Sequence, residues 1–141
     1  MSLGGRSLLA LEGVHPDLVK VIISTADDGH GFIVTEGRRT KARQAVLVAA
    51  GKSRTMNSRH ISGHAVDLAV TLTGGGGISW DKEDYKYLAM QVKTVAANLG
   101  ILVEWGGECF GPSFFDGPHF QLPWKNYPLD LSSPPDATNV T

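Results

Sequence analysis

Apolar residues recur every three or four positions in three stretches of the chain, and this spacing predicts three helices. Each stretch opens with a residue suited to a helix start and closes with glycine, which commonly ends a helix. The first begins at His15-Pro16, since proline fits the first helical turn. The predicted helices run from Pro16 to Gly29 or Gly31, from Thr40 to Gly51 and from Asp81 to Gly100.

We expect each helix to bury one face in a common core. The expected core positions are Leu18, Val21, Ile22 and Thr25 in the first helix, Ala45, Val46 and Ala49 in the second, and Tyr85, Leu88, Val92, Val95 and Leu99 in the third. Strands are predicted at 32–34, 64–70, 101–105 and 118–122, and a flexible loop at the glycine run 74–77. Because no βαβ repeat is present, the pattern favours the α+β class, with a short antiparallel sheet flanked by about three helices.

Length and composition predict one ordinary globular domain. The chain has 141 residues, of which 42% are hydrophobic and 19% charged, and its net charge is -1. We expect one folded domain over 8–127, large enough to hold a catalytic site, and a surface or disordered tail over 128–141, which is rich in Pro, Ser and Asp. The apolar run 8–11 is too short for a signal peptide, so we expect synthesis in the cytoplasm and no membrane insertion. The single cysteine, Cys109, excludes an intrachain disulfide.

The segment 58–68 carries the first group of candidate chemistry. In the strand predicted over 64–70, alternate apolar positions face a core, and Asp67 lies between two alanines on the opposite face. A carboxylate between such small neighbours is suited to reaching a metal. A turn at Gly63 could bring His60 beside Asp67.

A second group lies around Pro118. The extended backbone after this proline places His119 and Gln121 on one face and turns Phe120 towards the core. Asp116 lies three residues before His119, across a bend, where its carboxylate can approach the histidine without being a ligand.

Two histidines and a carboxylate from distant segments form a common catalytic zinc set, with an open position for water. Each residue also has a structural reading: a lone histidine is more often hydrogen-bonded than ligating, and Asp67 could cap a turn or form a salt bridge. Spacing alone leaves the two readings about equally open. We expect His15 and His30 not to be ligands, and His64 to be the reserve candidate on the cleft side of its strand.

Two motifs in combination resemble a known family. Ser58-x-His60-x-x-Gly63-x-Ala65-x-Asp67 and Asp116-x-Pro118-His119-Phe120 are similar to the motifs of the zinc D-Ala-D-Ala carboxypeptidase (VanY-like) group. Within that group, the chain most resembles the L-alanyl-D-glutamate peptidases used as phage endolysins. The resemblance covers roughly 11–122, including the segments 13–19, 36–40, 51–53 and 105–107.

The resemblance implies a Hedgehog/D-Ala-D-Ala-peptidase-like fold and assigns roles to five residues. His60, Asp67 and His119 become Zn²⁺ ligands, Asp116 the catalytic acid/base, and Arg39 a cleft arginine that steadies an oxyanion or a substrate carboxylate. The chain departs from the family pattern at Arg38 and at Glu108-Cys109-Phe110, where substrate contacts are expected to differ.

The function predicted in this way is zinc-dependent hydrolysis of the L-Ala–D-Glu bond in the peptidoglycan stem peptide, by a monomer that reaches the wall after holin-type release. The alternatives are a D-Ala-D-Ala carboxypeptidase or dipeptidase and a non-catalytic, zinc-stabilised cell-wall-binding module. A nucleic-acid interface is not expected, because the charge is balanced and no aromatic residues are interleaved with the basic ones. The basic residues are instead expected to form a solvated rim: Arg38, Arg39, Lys41, Arg43, Lys52, Arg54 and Arg59. Four of them are expected to give the cleft a local positive field: Arg38, Arg39, Lys52 and Arg59.

Overall fold

The computed structural model describes residues 3–53, 55–73 and 76–129. Its elements in chain order are α1 (Gly5–Ala10), α2 (Pro16–Asp27), β1 (Phe32–Glu36), α3 (Lys41–Ala49), β2 (Ala65–Val70), α4 (Lys82–Asn98), β3 (Glu104–Trp105) and β4 (His119–Gln121). Part of the predicted glycine loop, most of the predicted tail and Arg54 lie outside the described residues. No helix among those described is long and apolar enough to cross a membrane.

The four strands form one antiparallel sheet in the order β1-β2-β4-β3. The α+β class and the short antiparallel sheet are thus confirmed, although β3 and β4 are shorter than predicted. The strand register forms two residue pairs that are important for the site. Asp67 lies opposite His119, and Glu104 lies opposite Gln121.

The predicted helix starts are present with their capping bonds. The Thr40 side chain accepts a hydrogen bond from the main-chain N of Arg43 at 3.0 Å, and Asp81 accepts one from Glu83 at 3.0 Å. Both satisfy amides that have no partner within the helix. The α2 and α4 helices pack against each other, with their predicted faces in the core except Leu99, which is 39% exposed.

The second predicted helix, α3, buries a polar side chain and exposes the apolar ones that were expected in the core. Val46 is 58% exposed and Ala45 and Ala49 are also exposed, whereas Gln44 is fully buried. Its side chain accepts a hydrogen bond from Arg39 and donates one to the main-chain oxygen of Thr55. The predicted apolar face of α3 was therefore wrong, because polar contacts near the site orient this short helix.

Helix α1 was not predicted, because its six residues are too few to show a helical period. It packs beside β1, and the buried hydroxyl of Ser7 accepts a hydrogen bond from the main-chain N of Val34 at 3.0 Å. That bond satisfies an amide of β1, which is an outer strand of the sheet.

The turn that follows His60 depends on Gly63. Its φ is +79°, and a Cβ there would lie 2.3 Å from the main-chain oxygen of Gly13. The Gly63 carbonyl accepts a hydrogen bond from the main-chain N of His15 at 2.8 Å. Only glycine permits this backbone conformation together with this approach, which fixes the loop between His60 and β2.

Candidate metal centre and active site

The three predicted ligands come together at the centre of the sheet. One ligand atom from each of His60, Asp67 and His119 lies within 4.8 Å of the other two. The Nε2 atom of His60 is 3.2 Å, and the Nδ1 atom of His119 is 3.6 Å, from Oδ1 of Asp67. The two imidazole nitrogens and the carboxylate oxygen therefore converge on one point.

The ring of His60 is oriented by the main chain. Its Nδ1 lies 2.8 Å from the carbonyl oxygen of Gly37, and its side chain is 2% exposed. Because a carbonyl only accepts, Nδ1 carries the proton and Nε2 presents its lone pair towards Asp67. Metal-ligating histidines are commonly fixed by such a bond from the other ring nitrogen.

The ring of His119 is oriented by a side chain. Its Nε2 lies 2.7 Å from Oε1 of Gln121, whose Nε2 donates to Oε1 of Glu104 at 2.9 Å. His119 and Gln121 are each 5% exposed. The alternation along β4 had placed these two residues on one face and Phe120, which is fully buried, on the other.

The charges at this point favour a cation. Burial by itself raises the pKa of Asp67, but His60 and His119 lower it more strongly, so that it ends below its usual range. For His119, burial lowers the pKa, but the neighbouring Asp67 carboxylate and its charge raise it above the ordinary value. An ionised carboxylate between two imidazoles is a donor set suited to a divalent transition metal, so these residues fit a metal ion.

Asp116 lies beside this centre on the same cleft. The bend predicted between it and His119 is present, since the main-chain N of His119 donates to the carbonyl of Asp116 at 3.1 Å. Burial, followed by the charge of Asp67, raises the pKa of Asp116 above its ordinary value. A carboxyl group with a raised pKa can exchange a proton closer to neutral pH.

Gly106 allows the Asp116 bend to approach β3. Its carbonyl accepts a hydrogen bond from Asp116 at 2.9 Å, and its amide donates to the carbonyl of His119 at 2.7 Å. A Cβ at Gly106 would lie 2.2 Å from the main-chain oxygen of Asp116 and 2.8 Å from Cβ of His119. The glycine thus sets the distance between two of the predicted site residues.

Arg39 forms part of the cleft wall next to Asp67. It is 7% exposed; its Nε lies 2.6 Å from Glu36, its Nη1 donates to Gln44 at 2.7 Å, and its Nη2 is 3.6 Å from Oδ2 of Asp67. These contacts hold the planar guanidinium in one orientation. It is a fixed positive charge, not part of a solvated rim.

The cleft has a volume of about 430 Å³ and is lined by both polar and aromatic side chains. We call its polar lining residues Lys52, Ser53, Thr55, Asn57 and Ser58 the polar wall, and Phe110, Phe114 and Trp124 the aromatic wall. Phe110 reaches the metal centre, since its ring centroid is 5.0 Å from that of His119. This aromatic belongs to the segment in which the chain departs from the family pattern.

Of the two other expected cleft cations, Arg59 also lines the cleft, and Arg38 does not belong to the described residues that line it. Arg59 is 2% exposed and donates to the carbonyls of Leu122 and Tyr127, at 2.9 and 2.8 Å, so it ties the His60 loop to the chain after β4. Arg38 lies against Gly13. Among the described residues, the arginines and lysine that line the cleft are therefore Arg39, Arg59 and Lys52.

His64 belongs to a separate cluster. Its Nδ1 lies 2.7 Å from the hydroxyl of Ser62, and its ring lies near those of His15 and Tyr127. Burial, then the charges of Arg59 and His15, lower the pKa of His64 to about 4. Among the described residues it does not join the metal cluster, so the reserve-ligand reading is not favoured.

Cys109 is half-buried, and burial, then the charge of Glu104, raises the pKa of its thiol to about 11. A thiol that stays protonated is a poor nucleophile. This agrees with the expectation that Cys109 has no catalytic role.

The groups that orient the site residues were not identified from the sequence. The Gly37 carbonyl and Glu104 act across 23 and 17 positions of the chain, whereas Gln44 orients Arg39 from five positions away. Strand alternation could have singled out Gln121, because it shares a face with His119, but nothing local identifies Glu104 as its partner.

Comparison with known proteins gives concordant matches. A family model described as phage L-alanyl-D-glutamate peptidase matches residues 1–122. An L-alanyl-D-glutamate peptidase of Listeria phage A118 is 33% identical over 115 residues, which is 79% of this chain and 37% of that protein. The chain therefore spans little more than a third of this curated relative.

A solved structure is also similar. The crystal structure of the Serratia marcescens L-Ala D-Glu endopeptidase ChiX superimposes with a TM-score of 0.81 and 44% sequence identity. The match covers 92% of this chain and 95% of that one.

Proposed function

This chain belongs to the phage L-alanyl-D-glutamate peptidase family, and from that premise we propose that it is a zinc-dependent endopeptidase that hydrolyses the L-Ala–D-Glu bond of the peptidoglycan stem peptide. The family resemblance drawn from the two motifs is thereby confirmed. The observation that carries the proposal is the convergence of His60, Asp67 and His119 beside a fourth residue, Asp116, on the floor of one cleft.

The proposed ligands are Nε2 of His60, a carboxylate oxygen of Asp67 and Nδ1 of His119. A zinc ion held by these residues would lower the pKa of a bound water to about 7 and polarise the scissile carbonyl. Asp116 takes the proton from the attacking water and returns it to the amine of D-Glu as the amide C–N bond breaks. The products are a carboxylate on L-Ala and a free amino group on D-Glu.

Arg39 is proposed to steady the negative charge that develops on the carbonyl oxygen, or a substrate carboxylate. Its bonds to Glu36 and Gln44 support this role, because they fix the guanidinium before substrate arrives. Lys52, exposed on the polar wall, adds a second positive charge for the carboxylates that the stem peptide carries.

The proposed site of action is the cell wall, reached after holin-type release from the cytoplasm. Peptidoglycan is the proposed partner, and we propose that the protein acts as a monomer. The aromatic wall of the cleft offers contact area for the parts of the substrate beyond the scissile bond.

Digestion of purified peptidoglycan tests this proposal. The zinc-loaded protein should release fragments with new N-terminal D-Glu, a chelator should abolish release, and added zinc should restore it. Release of D-Ala would indicate the carboxypeptidase instead. Binding without any release would indicate the non-catalytic wall-binding module.

A further inference from the structure

We infer that Gln121 and Glu104 form a positioning pair that selects the tautomer of His119 and thereby presents its Nδ1 to the metal. The inference rests on the metal site of the proposed function. Neither residue touches the reacting atoms in this account, and both act through His119.

The pair is built by the sheet. Strand β4 lies between β2 and β3, so that His119 faces Asp67 on one side while Gln121 faces Glu104 on the other. His119 and Gln121 are two residues apart on one strand, and their side chains share a face. Register thus links the side chains of His119, Gln121 and Glu104 through two hydrogen bonds, of 2.7 and 2.9 Å.

Glu104 decides which end of the amide meets His119. A glutamine can present either its oxygen or its NH₂ group, but an ionised carboxylate only accepts. The NH₂ group of Gln121 therefore faces Glu104, and its Oε1 faces Nε2 of His119. This oxygen lies 2.7 Å from Nε2, whereas the Asp67 carboxylate lies 3.6 Å from Nδ1. The nearer acceptor places the proton on Nε2, which leaves the lone pair on Nδ1.

The two metal histidines differ in this respect. The partner of His60 is the carbonyl of Gly37, a main-chain acceptor that cannot turn over. The partner of His119 is an amide whose direction depends on Glu104. If the amide turned over, its NH₂ group would favour a proton on Nδ1, the atom needed by the metal.

Four variants separate this role from simple bracing of β4 against β3. Gln121→Leu removes the acceptor, and Glu104→Gln keeps the shape but allows the amide to turn over. The double variant Glu104→Gln/Gln121→Glu restores an acceptor at His119 and a donor between the two strands. Glu83→Gln is the control, since it makes the same charge change at an exposed position on α4.

The first measurement is zinc affinity by competition with a chelator. Gln121→Leu should weaken zinc binding about 10- to 100-fold, as loss of a group that orients a ligand commonly does. Glu104→Gln should weaken it about 10-fold, the double variant should recover most of the loss, and the control should match wild type. Single variants that bind zinc as wild type does would overturn the inference.

The second measurement is the tautomer of His119 in the metal-free protein, from long-range ¹H–¹⁵N NMR spectra at a pH where the ring is neutral. Wild type and the double variant should show the proton on Nε2, and Glu104→Gln a mixture. A wild-type proton on Nδ1, or an unchanged tautomer in both single variants, would also overturn the inference. Failure of wild type to bind zinc would instead contradict the proposed function, and the tautomer would still test the pair.

Discussion

Replacing Gly106 with alanine would add one methyl group at the point where Asp116 and His119 approach β3. The new Cβ would lie 2.2 Å from the main-chain oxygen of Asp116, whereas ordinary contact begins at 3.4 Å. A main-chain carbonyl cannot turn aside as a flexible side chain can. The bend that carries Asp116 must therefore move by about 1 Å.

The expected loss of activity follows from that displacement. Misplacing a reacting group by about 1 Å can cost about 10²-fold in rate, which corresponds to about 2.7 kcal/mol in the activation free energy. Overpacking of a close contact costs about 1–3 kcal/mol in the free energy of unfolding. We expect Gly106→Ala to show both effects, with the cost arising from contact because Gly106 does not have a positive φ.

The assay is kcat/KM on a purified muropeptide, together with denaturant unfolding. The matched control is Gly5→Ala in α1, where a Cβ would meet nothing within 4 Å. It should leave kcat/KM unchanged and alter stability little. Wild-type kcat/KM and wild-type stability in the Gly106→Ala protein would show that the close contact at Gly106 does not determine the position of Asp116.

Four more predictions concern single residues. Asp116→Asn should still bind zinc but lose about 10²–10⁴-fold in kcat, since an amide cannot accept the proton; near-normal turnover would move the acid/base role to another group. Arg59→Met should lower the free energy of unfolding by about 1–3 kcal/mol in urea titrations, because buried carbonyls lose their donor, and an unchanged midpoint would contradict this. Lys52→Ala should raise KM more than it lowers kcat in steady-state assays, and the reverse would argue against carboxylate binding. Folding lowers the pKa of His64 from 6.5 to about 4. His64 should therefore leave the free energy of unfolding unchanged above pH 6.5 and lower it by about 1 kcal/mol as the pH falls towards 4, allowing for solvent screening. His64→Gln should remove this part of the pH dependence in urea titrations at pH 7 and 5.

Local chemistry explains which parts of the fold could be predicted. Thr40 and Asp81 cap helices through bonds to residues two or three positions away, so the sequence itself contains the information. Strand alternation likewise placed Asp67 opposite the core face and Phe120 within the core. These features require no knowledge of distant segments.

Tertiary contacts explain what was missed. The burial of Gln44 follows from polar contacts with Arg39 and the loop after α3, which override the apolar pattern of that helix. Arg59 lines the cleft as expected, but its hydrogen-bond partners lie 63 and 68 positions further along the chain. The pairing of Arg59 depends on the assembled fold and has no local signal.

The candidate site likewise combines features that the local sequence predicts with features that depend on tertiary contacts. The motifs around His60, Asp67 and His119 could be identified from the sequence together with the family resemblance. The orienting contact between Gln121 and Glu104 could not, because it requires the register of β3 against β4. The convergence of His60, Asp67 and His119 was therefore predictable, and the residues that orient them were only partly so.

Hydrolysis of a defined muropeptide in H₂¹⁸O, followed by mass spectrometry of the products, tests whether the His60–Asp67–His119 centre hydrolyses the L-Ala–D-Glu bond. We expect one ¹⁸O atom in the new carboxylate of L-Ala and none in the released D-Glu peptide, with no product from His60→Ala, Asp67→Ala or His119→Ala proteins that remain folded. Label in a D-Ala carboxylate, or undiminished cleavage by a variant that lacks one of the three ligands, would contradict it.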